Sequence, residues 1–298
     1  MASTLDTLAP GARVAVIRIR SLGDCVLTTP AIELLHHHRP DLSIAVAVED
    51  RLRGVFEHHP AIAGILPPTL TALRRFRPHM VINLHGGTRS VLMTLGCGAR
   101  IRAGFGHYAG VQAYNVRIPR AQQILGEERP VHTAEHLASA MFYLGVPQCE
   151  IPRASLYASQ SGPEVPGTYA VIHPFASAPD KAWPAAHFAE AAARLGTRVI
   201  ILAGPRDDVS PFAAYRVYQN APIDTVKRLL RDAALFIGND SGPAHMAAAF
   251  GVPSVVLFGP TSPAIWGPWR TQAQVLQGFA SITVQDCLTA AAGLKVTA

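Results

Sequence analysis

The chain has 298 residues, 49% apolar and 15% charged, with a formal net charge of +6. That length suffices for two domains with separate cores; the apolar fraction excludes a disordered chain, and no uninterrupted apolar run approaches the roughly 20 residues of a membrane-spanning helix. Residues 1–160 hold 16 arginines against 11 acidic residues (net +5) and no lysine, whereas residues 161–298 are nearly balanced at +1. A basic first half suits an acidic partner such as phosphorylated glycolipid, membrane surface or nucleic acid, and is equally what arginine-rich codon usage would leave.

The opening residues, MASTLDTLAPGARV, lack a basic segment followed by an apolar one, so no signal peptide is expected. Cys25, Cys97, Cys149 and Cys287 are scattered without a CxxC pair, which argues against a zinc site or disulfide framework and points to a reducing, cytoplasmic compartment. Arg13–Ile19 reads as a buried strand, followed by a turn at Ser21–Asp24 and a helix opened by Thr28-Thr29-Pro30 and running to about His38. Leu42–Val48 is the next strand, completing a βαβ unit of a parallel sheet. A short helix at Leu52–His58, a strand at Ile62–Leu66, a helix at Leu70–Phe76, a strand at Met80–Leu84, a helix at Thr88–Leu95 and a strand at Ile101–Phe105 follow. The segment from Gly106 to Arg129 reads as irregular, and Val131–Leu144 as a helix stopped by Gly145 and Pro147.

Gln160–Gly167 (QSGPEVPG) is turn-forming and has no apolar period, which puts the boundary between two domains, 1–160 and 161–298, at that segment. A second α/β set then begins: strand Tyr169–His173, helix Ala185–Leu195, strand Arg198–Ala203, helix Thr225–Ala234 and, near the end, helix Val284–Ala292. Its most informative stretch is Leu235–Thr261, LFIGNDSGPAHMAAAFGVPSVVLFGPT. It reads as strand, tight turn, helix from Ala244 to Phe250, and second strand Ser254–Phe258. A helix start loaded with Asp, Ser and Gly at a strand end favours an anion such as pyrophosphate. Two doubly wound domains place ligands at strand C-terminal ends, in a cleft between them. Neither domain opens with GxGxxG, and no Walker A sequence is present.

Four segments, IRIRSLGDCVLTTPAIELL, INLHGGTRS, HPFAS…KAWP and GNDSGPAHMAAAFGVPSVVLFGPT, occur in the order found in the bacterial lipopolysaccharide heptosyltransferases, glycosyltransferase family nine. The chain resembles that family over nearly its whole length. The resemblance implies a GT-B fold of two Rossmann-like domains, the first binding acceptor and the second donor. It implies inverting, metal-independent transfer of heptose from ADP-heptose, as substrate and with no cofactor, to an acidic glycolipid of the lipopolysaccharide core. It further implies peripheral contact with the inner face of the cytoplasmic membrane and no nucleic-acid partner.

On the matching positions, Asp24 stands where the family has its general base, with a helix or turn cap as the alternative. Lys181, before Trp183-Pro184, matches the donor-contacting lysine that neutralises the leaving diphosphate; an exposed surface lysine is the alternative. Asp240, Ser241, Gly242 and His245 match the donor-binding DSGPxH segment, with Asp240 also readable as an N-cap and His245 as a packing residue. Ser177 and Thr261 are further donor-site candidates, and Asp207 and Asp208 align loosely with an acidic position. Arg18, Arg20 and Arg89 are candidates to meet acidic groups of the acceptor. His36-His37-His38 and the pair His132 and His136 read as structural rather than as metal sites. Three departures stand out: Phe175 replaces the usual glycine of HPGAS, Cys25 replaces a small apolar residue, and the span Asp208–Asp240 is short enough to lack a strand–helix element of the nucleobase pocket. Other classes open to such a scaffold are a non-catalytic nucleotide-sugar-binding protein and a GT-B sugar-nucleotide epimerase or hydrolase.

Overall fold

The computed structural model describes residues 3–294. They divide into two compact units, the first ending at Pro152 and the second beginning at Arg153. In chain order the first unit contains β1 (Arg13–Ile17), α1 (Leu22–His38), β2 (Ser43–Ala47), β3 (Gly64–Leu66), α2 (Leu70–Phe76), β4 (Met80–Asn83) and α3 (Thr88–Gly96). It continues through β5 (Ile101–Phe105), β6 (Val116–Ile118), α4 (Ala121–Leu125) and α5 (Thr133–Leu144). The sheet order is β3-β2-β1-β4-β5-β6, and every pairing is parallel. β1, β2 and β4 are buried almost end to end, the pattern of strands covered on both faces.

Helix α1 begins six residues before the expected Thr28 start. Ser21 is its N-cap, and Asp24, at the third helical position, accepts the Ser21 amide at 3.5 Å and the Ser21 hydroxyl at 3.0 Å. Pro30 therefore sits in the helix interior, where it cannot donate to the Val26 carbonyl. The Thr29 hydroxyl takes that acceptor at 2.8 Å, so the proline leaves no orphaned carbonyl there. Most of the helix from Cys25 to Leu35 is buried, and α1 packs along α5. Two other expectations change: residues 50–55 form a 3₁₀ turn rather than a helix, and the 106–129 segment contains β6 and α4.

The second unit contains β7 (Ala170–His173), α6 (Ala185–Arg194), β8 (Val199–Ala203), β9 (Arg216–Gln219), α7 (Ile223–Arg231) and β10 (Leu235–Asn239). It ends with α8 (Gly242–Phe250), β11 (Ser254–Phe258), α9 (Pro263–Trp266), β12 (Ala273–Gln277) and α10 (Val284–Ala292). Its order, β12-β11-β10-β7-β8-β9, is also all parallel and repeats the topology of the first sheet. Each unit is thus a doubly wound Rossmann-type sheet. The 208–240 span carries both β9 and α7, so the strand–helix element thought to be missing is present. β9 and β12 are edge strands with largely exposed side chains, which is why neither gave an apolar signal.

The unit boundary precedes the 160–167 segment because that segment is bound to α7. Lys227 Nζ donates to the Tyr157 carbonyl at 2.6 Å, and the Ser159 amide and hydroxyl donate to Asp224 at 2.9 and 2.7 Å. Arg228 bridges Glu164 at 2.6 Å and Asp224 at 2.7 Å. The turn-rich stretch is a strap on the second unit.

Candidate functional site

In the first unit, chemistry gathers where β1 and β4 end. Arg18 follows β1 and is 5% exposed, so its charge needs a partner. It finds Asp24 Oδ1 at 3.2 Å, while Ser21 holds Oδ2. The Asp24 side chain remains 25% exposed, which leaves the carboxylate reachable while its orientation is fixed from two sides. Asp24 is therefore a capping-box residue of α1 that also presents a partly exposed carboxylate at the end of β1. Arg20 is exposed, and Arg89 spends one donor on the Pro68 carbonyl at 2.6 Å. Cys25, buried behind Asp24, has its thiol pushed up to about 12 by burial and is inert at neutral pH.

The loop after β4 is shaped by Asn83, whose Oδ1 accepts the amides of His85 and Gly86 at 3.0 and 3.1 Å. Gly86 has φ +74° and lies against the Tyr108 ring, leaving no room for a Cβ. His85 has its pKa lowered by burial and by the charges of Arg18 and Arg20. The Tyr108 hydroxyl meets His136 Nε2 at 3.3 Å, and His136 stacks on Phe105 with centroids 4.0 Å apart. Burial, with the charges of His107 and Arg18, pushes His136 down to about 4, so it is neutral at pH 7. This Phe105–Tyr108–His136 cluster was not legible in the sequence; the only signal was an aromatic-rich FGHY directly after a strand. His132 takes another role, its Nδ1 accepting the Ala134 amide at 3.1 Å as the cap of α5.

In the second unit the ends of β7, β10 and β11 converge. Asn239, the last residue of β10, accepts the Trp183 amide at 3.0 Å and donates to the Pro174 carbonyl at 2.9 Å. It thereby pins both the loop after β7 and the turn Pro179–Lys181 that carries Lys181. Trp183 is fully buried, with Nε1 donating to the Ile282 carbonyl at 3.2 Å. Asn239 was passed over in the sequence, where it looked like an ordinary turn residue.

Asp240 is not the N-cap of α8; that position is Ser241. Asp240 Oδ2 instead accepts the Thr261 hydroxyl at 2.7 Å, and Oδ1 lies 3.9 Å from His245 Nε2. Burial raises its pKa, opposed by the Thr261 hydrogen bond and the charge of Lys181. The Ser241 hydroxyl meets His173 Nδ1 at 3.2 Å rather than capping the helix. His173 is pushed down to about 4 by burial and is neutral at pH 7. Gly259 lets the loop after β11 pass close to the turn carrying Lys181: a Cβ there would lie 2.9 Å from the Asp180 carbonyl. Lys181, Asp240, Ser241, Gly242, His245 and Thr261 therefore belong to one neighbourhood at the start of α8. Ser177 is exposed on the loop after β7. Phe175 fixes that loop by packing edge-on to Phe212 at 6.0 Å, an aromatic anchor at the position of the family's glycine. Asp207 and Asp208 are engaged by the amides of Gly204 and Ser210 at 2.6 and 3.0 Å, which makes them turn formers.

Asp240→Asn is expected to stabilise the ligand-free protein and weaken donor binding. A carboxyl whose pKa rises on folding costs nothing well below the ordinary aspartate pKa of about 4, where both states hold the proton; the cost grows as pH rises to the folded pKa and is constant above it. Asparagine removes that cost but presents an amide where a carboxylate accepted hydrogen bonds. Melting scans at pH 3 and pH 7, on either side of the ordinary aspartate pKa, should show the variant's advantage larger at pH 7.

Among the described residues no group of three or more His, Cys, Asp or Glu side chains could hold a metal ion, and no helix is long and apolar enough to cross a membrane. The sequence profile described as "Glycosyltransferase family 9 (heptosyltransferase)" matches residues 70–289. Lipopolysaccharide heptosyltransferase 1 of Pseudomonas aeruginosa (strain PAO1) is 25% identical over 308 aligned positions, covering 90% of this chain and 84% of the relative. The crystal structure of a family 9 glycosyl transferase from Veillonella parvula superimposes with a TM-score of 0.82 at 22% identity, covering 94% of this chain and 96% of that one. The E. coli heptosyltransferase WaaC with ADP does so with a TM-score of 0.74 at 19% identity, covering 93% and 98%. These solved structures share the two-domain fold with this chain.

Proposed function

The chain belongs to glycosyltransferase family 9, the heptosyltransferases, and from that premise we propose that it transfers heptose from ADP-heptose to a hydroxyl of an acidic glycolipid of the lipopolysaccharide-core type, with inversion at the anomeric carbon. The observation that carries this reading is Asp24, a carboxylate oriented by Arg18 and Ser21 yet still a quarter exposed. Asp24 accepts the proton of the acceptor hydroxyl as that oxygen attacks the anomeric carbon and the C–O bond to the diphosphate breaks. The bond forms opposite the leaving group, so configuration inverts.

The second unit serves the donor. Charge develops on the departing ADP, and Lys181 together with the start of α8 at Ser241 and Gly242 supplies positive potential for it. Asp240 accepts hydroxyls of the heptose or ribose, and Thr261 and His245 keep its carboxylate turned toward that task. Ser177 lies on a loop that could reach the same diphosphate. In the first unit, Arg20 and Arg89 are set to meet acidic substituents of the acceptor. A glycolipid acceptor also implies work at a membrane surface.

Thermal shift with ADP, UDP and GDP tests donor class, because a ligand that binds only the folded chain raises its melting temperature. ADP and ADP-heptose are expected to raise it by several degrees and UDP and GDP by little. A shift with UDP alone would overturn the donor assignment, and consumption of ADP-heptose without acceptor would mark a hydrolase or epimerase.

A further inference from the structure

Between Glu57 and Glu127 the sequence contains no acidic residue and eight arginines. This is the most one-sided charge distribution in the chain, and among the described residues no carboxylate ion-pairs with it. Among the described residues none of those eight arginines is ion-paired; Arg74, Arg75, Arg77, Arg89 and Arg100 are all exposed. Two of them are fixed by backbone carbonyls. Arg89 at the start of α3 donates to Pro68 at 2.6 Å, and Arg74 on α2 donates to Gly96, the last residue of α3, at 2.8 Å.

Between those two anchors lie Leu92 and Leu95, 62% and 57% exposed, the two most exposed large apolar side chains described. Three residues apart on α3, they stand on one stripe of the helix. Elsewhere α3 is turned inward, with Ser90, Met93 and Thr94 buried. An apolar stripe flanked by unpaired arginines matches a surface that is apolar beneath and anionic on top.

We propose that the Leu92–Leu95 face of α3, with its flanking arginines, docks the first unit on an anionic lipid bilayer. The leucines enter the headgroup–acyl boundary and the arginines stay at headgroup level, the arrangement by which amphipathic surfaces bind interfaces. A nucleic-acid duplex would use the arginines and gain nothing from two exposed leucines. Helix α3 starts just beyond the C-terminal end of β4, the neighbour of β1, so its start and Asp24 share one end of the sheet, and Leu92 and Leu95 follow as the helix runs back along it. Docking there would keep the first unit at the surface that holds a lipid-linked acceptor. The inference rests on the glycolipid reading above only for this last consequence.

The test uses the full chain in co-sedimentation with phosphatidylcholine vesicles, with and without about 30 mol% phosphatidylglycerol. Binding to the anionic vesicles is expected to be at least about tenfold stronger and to weaken with salt. L92S/L95S, which places serines at exposed positions, should cut it about tenfold while leaving the melting temperature and the transfer rate on a delipidated, soluble acceptor unchanged. R74Q/R75Q should remove the preference for anionic over neutral vesicles. No vesicle binding in a chain that transfers to soluble acceptor, vesicle binding indifferent to L92S/L95S, preference for a nucleic-acid duplex, or a leucine-dependent dimer without vesicle binding would each overturn the proposal. Vesicle binding with these dependences in a chain that transfers nothing would keep it and overturn the reaction reading instead.

Discussion

Replacing Asp24 with asparagine is expected to lower kcat for heptose transfer by about 10²–10⁴-fold, the usual contribution of a positioned general base, with the affinity for ADP unchanged. The substitution keeps the shape of the side chain and a carbonyl oxygen that can accept from Arg18 or Ser21, so α1 should still start at Leu22. It removes the group that takes the acceptor's proton. Arg18 loses its partner charge while remaining 5% exposed, so some destabilisation accompanies the change. Reading kcat apart from ADP affinity separates the two effects: a folding defect lowers the active fraction, whereas loss of the base lowers turnover in protein that still titrates fully with ADP. Full turnover in Asp24→Asn would remove Asp24 as the base.

The second large effect is on stability. Trp183→Ala should cost about 3–5 kcal/mol, the range for truncating a buried large aromatic. Trp183 is 0% exposed, packs edge-on to Phe188 at 5.0 Å and donates to the Ile282 carbonyl, so truncation opens a cavity and strands an acceptor. Calorimetry should show a melting temperature lower by roughly 6–20 °C, given about 2–4 °C per kcal/mol for a domain of this size. Donor affinity should fall as well, because the cavity lets the backbone shift at residue 183, whose amide Asn239 holds beside the turn carrying Lys181. Trp183→Phe, which keeps the ring packing and loses the Nε1 hydrogen bond, should recover most of the stability. A Trp183→Ala protein that melts like the parent would contradict the anchor role assigned to this residue.

Elements whose residues are buried on all sides could be read directly from the sequence. β11, buried along its whole length, matches its expected limits, as does β5 in the first unit; α10, exposed on one face, does so because Thr283 and Asp286 form a capping box at its start. Burial writes a dense apolar run bounded by Gly, Pro or a capping residue, and such runs have only one good reading. The helix over Pro30 was misjudged at its start because Thr-Thr-Pro is a good opening on local grounds. Only the distant packing of α1 on α5, and the Thr29 hydroxyl taking the Val26 carbonyl, make an interior proline acceptable. β9 and β12 escaped because edge strands need no apolar face.

The candidate site divides in the same way. Asp24, Lys181 and the Asp240–Gly242 segment stand out in the sequence as candidates because each belongs to a compact local motif following a strand. Asn239 does not, since its value lies in joining Pro174 and Trp183, 65 and 56 positions away. The Phe105–Tyr108–His136 cluster needs α5 laid beside the end of β5, a pairing no local spacing records. For Asp240 only the N-cap alternative is settled: Ser241 takes that position, and the hydroxyl of Thr261 on the next strand's loop turns the Asp240 carboxylate away from the helix.

The measurement closest to the central claim is proton NMR of the product formed from ADP-heptose and a core acceptor lacking heptose. One heptosyl residue joined with inverted anomeric configuration is expected, formed by the parent chain and absent on the same timescale with Asp24→Asn. Retained configuration, or inverted product formed equally fast without the Asp24 carboxylate, would contradict it.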